Sequence, residues 1–388
     1  MLLLADVVRR HGPAYRERFG AAVLPSHARA LDDIARCRTA ALGGHLAVCS
    51  HCDQEHILFH SCRNRACPRC GQDTTARWLA RQRRLLLPVP YFHVVFTLPD
   101  ELRRSVRSHQ RALVGALFRA AFEAVAALAR DDHFLGAQIG ALAVLHTWTR
   151  TLEWHPHVHM LVPAGGLAPD GRTWRPLPRR KRRFLAPVRA LGKLFRGRFL
   201  ALARRALPGV PLPPIPWEKR WVVFAKPVAH GAEKVLEYLG RYVHRTAMSD
   251  RALLAMDDRS VTLRYRDSRD RRHKVLTLPA DEMLRRFLQH VPPKGMHRVR
   301  AFGLLHPAQR QTLRRLQLLL APRRPGDKEP ASDPPPPRAR TKCAHCGQPG
   351  LTLVLRFEPD LAMSAQLPTT LGSQARAPPR APPVPAVP

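Results

Sequence analysis

Residues 153–162 read EWHPHVHMLV. His155, His157 and His159 stand at alternate positions, and alternate positions of a β-strand share one face. An ordinary half-buried strand has no need of three imidazoles side by side. Clustered imidazoles on one face are instead a metal-site pattern, because neutral His is a common ligand of divalent ions. Upstream, ALAVLHTWT (141–149) is a second strand-like run, and the short RTLEW between the two predicts an antiparallel hairpin. A hairpin centre near residues 152–153 sets His146 opposite His159 and brings a fourth imidazole to the cluster.

Working outward, YFHVVFTLP (91–99) is β-branched and aromatic and ends at proline, which predicts a strand. The stretch from Asp100 to about Arg130 carries Val106, Leu113, Leu117, Phe118, Phe122, Val125 and Leu128 at spacings that fit one or two amphipathic helices. Residues 163–216 contain thirteen Lys/Arg against one acid, Asp170, and are expected to form a basic insertion or long connection. WVVFAKPV (221–228) predicts a strand, AEKVLEYLGRYVHRTAM (232–248) a helix, and residues 260–279 another hairpin. Hairpins with interspersed helices give an α+β body over 88–320: a small antiparallel sheet, helices packed on one face, the His strand central. Residues 322–342 form a Pro-rich linker. Residues 343–388 carry a last C-x-x-C, one strand and a Pro/Ala tail expected to be disordered after about Gln366.

Lys and Arg number 65 against 29 Asp and Glu, a formal charge of +36. A field of that sign favours a polyanion, most simply nucleic acid. No uninterrupted apolar run approaches the roughly 20 residues of a spanning helix, so no membrane partner is expected. The opening MLLLADVVRRHG is too short and too soon charged for a signal peptide, which predicts a cytoplasmic protein. The eight cysteines therefore read as metal ligands rather than disulfides. CSHC (49–52) and CPRC (67–70) are spaced as a structural zinc site of Cys49, Cys52, Cys67 and Cys70 in an N-terminal module over 1–80. Cys37 and Cys62 are spare candidates for a second site or plain burial, and CAHC (343–346) is half a site. Arg63, Arg65 and Arg69 between and beside the cysteines suit phosphate contacts, as does the RRKRR run Arg179, Arg180, Lys181, Arg182 and Arg183.

The remaining constellation is EYLGRYVHR. Tyr238 and Tyr242 are four apart, one turn along a single helical face, with Arg241 and Arg245 beside them. A phenol attacks a phosphodiester only when a metal polarises the phosphate and cations offset the developing charge. The His strand is a plausible holder for that metal. HPHVH followed by Y-x-x-x-Y resembles the HUH single-strand nucleases. More narrowly, SCRNRACPRC, YFHVVFTLP, VLHTWTRTLEWHPHVHMLVPAGGL and YLGRYVHR, in that order, resemble the insertion-sequence-ninety-one family of two-tyrosine rolling-circle transposases.

The resemblance implies an HUH-type sheet and maps the HUH pair onto His157 and His159 and the nucleophiles onto Tyr238 and Tyr242. It implies an N-terminal zinc-binding domain, Mg²⁺ or Mn²⁺ at the histidines, and nicking through a 5′-phosphotyrosine with single-stranded DNA at element ends and target. His146, then His155, is the expected third ligand. A related replication or mobilisation nickase and a non-catalytic zinc-containing DNA-binding protein are the competing functions. A His-metal hydrolase unconnected to DNA fits the charge poorly, and no small-molecule substrate is expected.

Overall fold

The protein is described by a computed structural model over residues 1–70, 78–79, 82–178, 186–228, 246–267, 270–321 and 342–360. The chain opens with helices α1 (Leu4–Phe19) and α2 (Pro25–Arg36), then strands β1 (Gly44–Cys49), β2 (Glu55–Phe59) and β3 (Tyr91–Thr97). Helices α3 (Arg103–Ser108) and α4 (Gln110–Arg130) precede β4 (Gly140–Trp148), β5 (Trp154–Pro163), β6 (Gly165–Leu167) and β7 (Trp174–Pro176). Next come α5 (Val188–Ala206), β8 (Val223–Pro227), β9 (Leu253–Met256), β10 (Ser260–Arg266) and β11 (His273–Pro279). The described chain ends with α6 (Ala280–Leu288), β12 (Val299–Gly303), α7 (Arg310–Leu320) and β13 (Leu351–Phe357).

The architecture is α+β, as the sequence predicts. Its centre is a five-stranded antiparallel sheet in the order β12-β4-β5-β3-β8, with the His strand β5 in the middle. Alternation sorts the side chains of this sheet. Phe92, Val94 and Phe96 of β3, Ala141, Ala143 and Leu145 of β4, and Val158, Met160 and Val162 of β5 join the main core with α4 and α5. The intervening positions point the other way and include every histidine of β4 and β5. One end of that second face is closed by Leu313 and Leu316 of α7, which pack with Leu142, Val144 and Leu161. The histidines lie beyond this plug on the same face, His146 buried and His155, His157 and His159 half-buried.

Three expectations change. The hairpin register is His146 opposite His157 and Val144 opposite His159, not His146 opposite His159. The turn centre lies one residue earlier than the sequence suggested, which slides partners by two positions. Because the strand period is two, the slide keeps His146 on the histidine face. Second, the basic stretch 163–216 is not an insertion. Its helix α5 buries Leu191, Phe195, Phe199 and Ala203 in the main core beside α4, so its arginines form the outer face of a core helix. Third, α4 is long and apolar enough by length and composition to cross a membrane. Its Leu113, Leu117, Phe118 and Ala121 nevertheless lie fully buried in the main core with residues of the sheet.

The N-terminal module is not a separate body either. Leu4, Val7 and Val8 of α1 and Ala30, Leu31 and Ile34 of α2 share one core with Val261 and Leu263 of β10 and with Met283, Leu284 and Phe287 of α6. A second sheet runs β13-β1-β2, so the strand after the Pro-rich stretch pairs with the N-terminal hairpin. The expected linker over 322–342, Lys342 apart, and the tail expected to be disordered after about Gln366 lie outside the described residues.

Candidate active site and metal centres

β5 carries the first constellation. His146, His157 and His159 bring one ring nitrogen each to within 4.8 Å of one another. The ring centroids lie 4.4 Å apart for His146 and His159, 4.9 Å for His157 and His159, and 5.5 Å for His146 and His157. Two hydrogen bonds orient His157 and His159, the expected HUH pair. His157 Nδ1 donates to the His155 carbonyl at 2.7 Å, and since a carbonyl only accepts, the lone pair of His157 resides on Nε2. His159 Nδ1 lies 2.8 Å from Nε2 of His93, with the two rings stacked in parallel. Outer-shell bonds of this kind fix tautomer and ring angle at metal sites.

Electrostatics favour the ligating form. Burial pushes His157 down to about 4 and His93 down to about 4. Burial, then the neighbouring His146, His157 and His93, pushes His159 well below its usual range. Neutral imidazole is what a metal requires. The donor set fits a divalent ion: three convergent nitrogens on two paired strands. Among the described residues no carboxylate joins the trio, so the set is softer than Mg²⁺ prefers and suits Mn²⁺ better.

One expected ligand falls away here. His155 lies outside the trio, its Nδ1 accepting from Arg103 Nη2 at 2.9 Å. Glu153 is exposed in the turn, where its N–H donates to Thr149 Oγ1. One residue the sequence reading passed over is His93. It shares the face of Tyr91, Val95 and Thr97, and as a single histidine in an apolar strand it carries no periodic signal. Tyr238, Tyr242, Arg241 and Arg245, and the run Arg179 to Arg183, lie outside the described residues.

The hairpin that sets this geometry is pinned from behind. His290 Nδ1 is 3.1 Å from Thr147 Oγ1, and its Nε2 donates to the Leu152 carbonyl at 3.0 Å. Leu152 itself sits in the left-handed region, at φ 63°. Burial lowers the His290 pKa to about 4, so between pH 6.5 and 4 the unfolded chain binds a proton that the folded chain refuses. Stability therefore falls as pH drops through that window and is unaffected above it. At about 1.4 kcal/mol per pH unit the loss is on the order of 3 kcal/mol. Urea midpoints should fall between pH 7 and pH 4.5, and His290→Gln should flatten that slope; an unchanged slope would refute the linkage.

The cysteines form two quartets, not the one expected. Cys37, Cys62, Cys67 and Cys70 converge in one, and Cys49, Cys52, Cys343 and Cys346 in the other. The expected set of Cys49, Cys52, Cys67 and Cys70 is therefore split between them. The cause is β2. It carries the chain away from the CSHC turn and back along β1, so Cys62 and the CPRC turn meet the end of α2 instead. In the first quartet the Sγ–Sγ distances are 3.6 Å for Cys37 and Cys70, 3.6 Å for Cys62 and Cys70, and 3.7 Å for Cys37 and Cys67. Zinc–sulfur bonds of about 2.3 Å in a tetrahedron give sulfur–sulfur edges of about 3.8 Å. Disulfides would need about 2.05 Å, and all eight cysteines are free. The first quartet thus fits a structural zinc site.

Around it, Arg63 and Arg65 are exposed and Arg69 is half-buried. Arg65 also donates from Nη1 to the Met296 carbonyl at 2.8 Å, tying the module to the body.

Comparison with known proteins agrees with this layout. Residues 7–98 match the family described as "Transposase zinc-binding domain", and residues 140–312 match the family described as "Putative transposase". The second match takes in the His strand, the stretch with both tyrosines and α6. The chain is 43% identical over 321 residues to "Putative transposase y4qJ" of Sinorhizobium fredii, covering 78% of this chain and 80% of that one. It is 33% identical over 294 residues to the transposase for insertion sequence element IS801 of Pseudomonas savastanoi pv. phaseolicola, covering 69% and 68%. No solved structure matches significantly. With one relative at 43% identity over four fifths of its length, and with both domain families in order, the chain belongs to the insertion-sequence-ninety-one family of transposases, with an N-terminal zinc-binding domain and DNA as its partner.

Proposed function

We propose that this transposase cuts and rejoins single-stranded DNA at the ends of its element through a tyrosine nucleophile, as in rolling-circle transposition. The observation that carries the reading is the trio His146, His157 and His159 converging on one sheet face, with the His157 and His159 rings oriented by hydrogen bonds and kept neutral by burial. Mn²⁺ or Mg²⁺ held there would polarise the scissile phosphate. The chain's own residues do the rest. Tyr238 or Tyr242 gives up its phenolic proton and attacks phosphorus. The P–O3′ bond breaks, the departing 3′ oxygen takes a proton, and the tyrosine keeps the 5′ phosphate as an ester. The second tyrosine can repeat the step on another strand, and the ester conserves the bond energy, so no nucleotide cofactor is needed. Arg63, Arg69, the Arg179–Arg183 run, Arg241 and Arg245 are the proposed phosphate contacts, which makes binding strongly salt-dependent. The same trio argues against the non-catalytic alternative, because a purely DNA-binding protein needs no histidine metal site beside its cysteines.

The test is covalent trapping. Purified protein is mixed with labelled single-stranded DNA from the element ends, with Mn²⁺ or EDTA, and run on a denaturing gel. A metal-dependent adduct that is retained by at most one single Tyr→Phe variant and lost in the Tyr238→Phe/Tyr242→Phe double variant is the expected result. A folded wild-type protein that binds the DNA yet forms no adduct would overturn the reading.

A further inference from the structure

The CAHC turn at 343–346 lies outside both matched families, and in sequence it is half a site. In space it is not. Cys49 Sγ lies 3.7 Å from Cys346 Sγ, and Cys52 Sγ lies 3.7 Å from Cys343 Sγ, across 297 and 291 residues of chain. These are tetrahedral thiolate edges, like those of the first quartet.

The two halves are also built alike. Each is Cys-x-His-Cys followed by a residue in the left-handed region, Asp53 at φ 51° and Gly347 at φ 74°. In each, the His amide donates to the first sulfur: His51 N–H to Cys49 Sγ at 3.5 Å and His345 N–H to Cys343 Sγ at 3.3 Å. In each, the left-handed residue's amide closes the turn onto the first cysteine's carbonyl, Asp53 to Cys49 at 2.9 Å and Gly347 to Cys343 at 3.0 Å. Amides aimed at sulfur stabilise thiolate over thiol. The imidazole Nε2 of His56 adds a further polar contact 3.1 Å from Cys343 Sγ.

A packing explanation fails on composition. The strands flanking this site leave Leu353, Val354 and Leu355 more than half exposed, so little apolar burial holds β13 against β1. Antiparallel pairing and the Ser50 amide donating to the Gly350 carbonyl at 3.0 Å register the two segments. A marginal three-stranded sheet with such an open face needs a staple.

We propose that Cys49, Cys52, Cys343 and Cys346 bind a second structural zinc ion, which clasps the C-terminal strand onto the N-terminal zinc-binding domain and makes residues 342–360 part of it. The inference does not depend on the tyrosine chemistry, since its readout is metal content.

The experiment is zinc stoichiometry of the full-length protein by mass spectrometry of the metal, paired with alkylation of its cysteines. Wild type should hold two zinc ions per chain, and Cys343→Ser/Cys346→Ser should hold one while Cys37, Cys62, Cys67 and Cys70 stay protected from iodoacetamide. One zinc ion in wild type, or two in the variant, overturns the proposal. If the variant does not fold, wild type still decides. As purified, Cys52 and Cys346 should resist alkylation and become reactive together on chelation. Free alkylation of Cys346 in the zinc-loaded wild type would refute the clasp.

Discussion

Replacing His157 by alanine should lower the rate of metal-dependent nicking by at least about 100-fold, the upper end of what loss of a mere outer-shell partner costs at a metal site. The reason lies in the strand. His157 is one of three imidazoles whose nitrogens converge within 4.8 Å, and with no carboxylate in the trio among the described residues, two remaining imidazoles would hold a hydrated divalent ion poorly. His146→Ala and His159→Ala should behave alike. His155→Ala should not, although it is a neighbour on the same face, because its Nδ1 is taken by Arg103; a change of less than about tenfold is expected, in line with a group outside the ligand shell. His93→Phe is the intermediate case: it keeps a ring against His159 but removes its hydrogen bond, with an expected loss of about 10- to 100-fold. The series is read by adduct formation against Mn²⁺ concentration. Ligand variants should shift the metal requirement upward, and equal losses in His155→Ala and His157→Ala would refute the assignment.

That series also shows what the sequence made legible. The alternation H-x-H-x-H fixed the face of each histidine, since a period of two survives any even slip in register. This is why His146 reached the site although its partner turned out to be His157. The choice between His146 and His155 as third ligand was not legible, because it depends on where Arg103 of α3 points. His93 was missed for a related reason: one histidine in an apolar strand carries no periodic signal, and its role appears only when β3 pairs with β5. The core role of α5 was hidden by its arginines. Leu191, Phe195, Phe199 and Ala203 recur at helical spacing, but the six Arg and Lys of the same helix, next to the RRKRR run, drew the whole stretch toward a surface reading. Cysteine pairing failed on topology. C-x-x-C spacing predicts which two thiolates act together, and both turns did. It cannot say which turn meets which, and here the partners came from Cys37 and Cys62 for the one turn and from Cys343 and Cys346, far beyond the body, for the other.

The largest effect on stability is expected at the first quartet. A structural zinc ion contributes apparent binding free energies of about 10–16 kcal/mol in small domains, whereas a whole folded protein is stable by only about 5–15 kcal/mol. Losing that ion is therefore expected to unfold whatever depends on it. What depends on it here is more than the module. Cys37, Cys67 and Cys70 are buried in the same core as Leu4, Leu31 and Ile34 of the N-terminal helices and Val261, Met283 and Phe287 of the body. Cys62→Ser should remove this zinc ion, abolish cooperative melting of the shared core, and depress nicking although no residue near the histidines has changed. Circular dichroism melting and limited proteolysis read the first effects, and adduct formation reads the last. The ordinary cost of the same substitution without metal is a few kcal/mol at most, so the two explanations differ severalfold in size. A Cys62→Ser protein with the full zinc complement and a melting temperature within a few degrees of wild type would show that the quartet is only a packed thiol cluster.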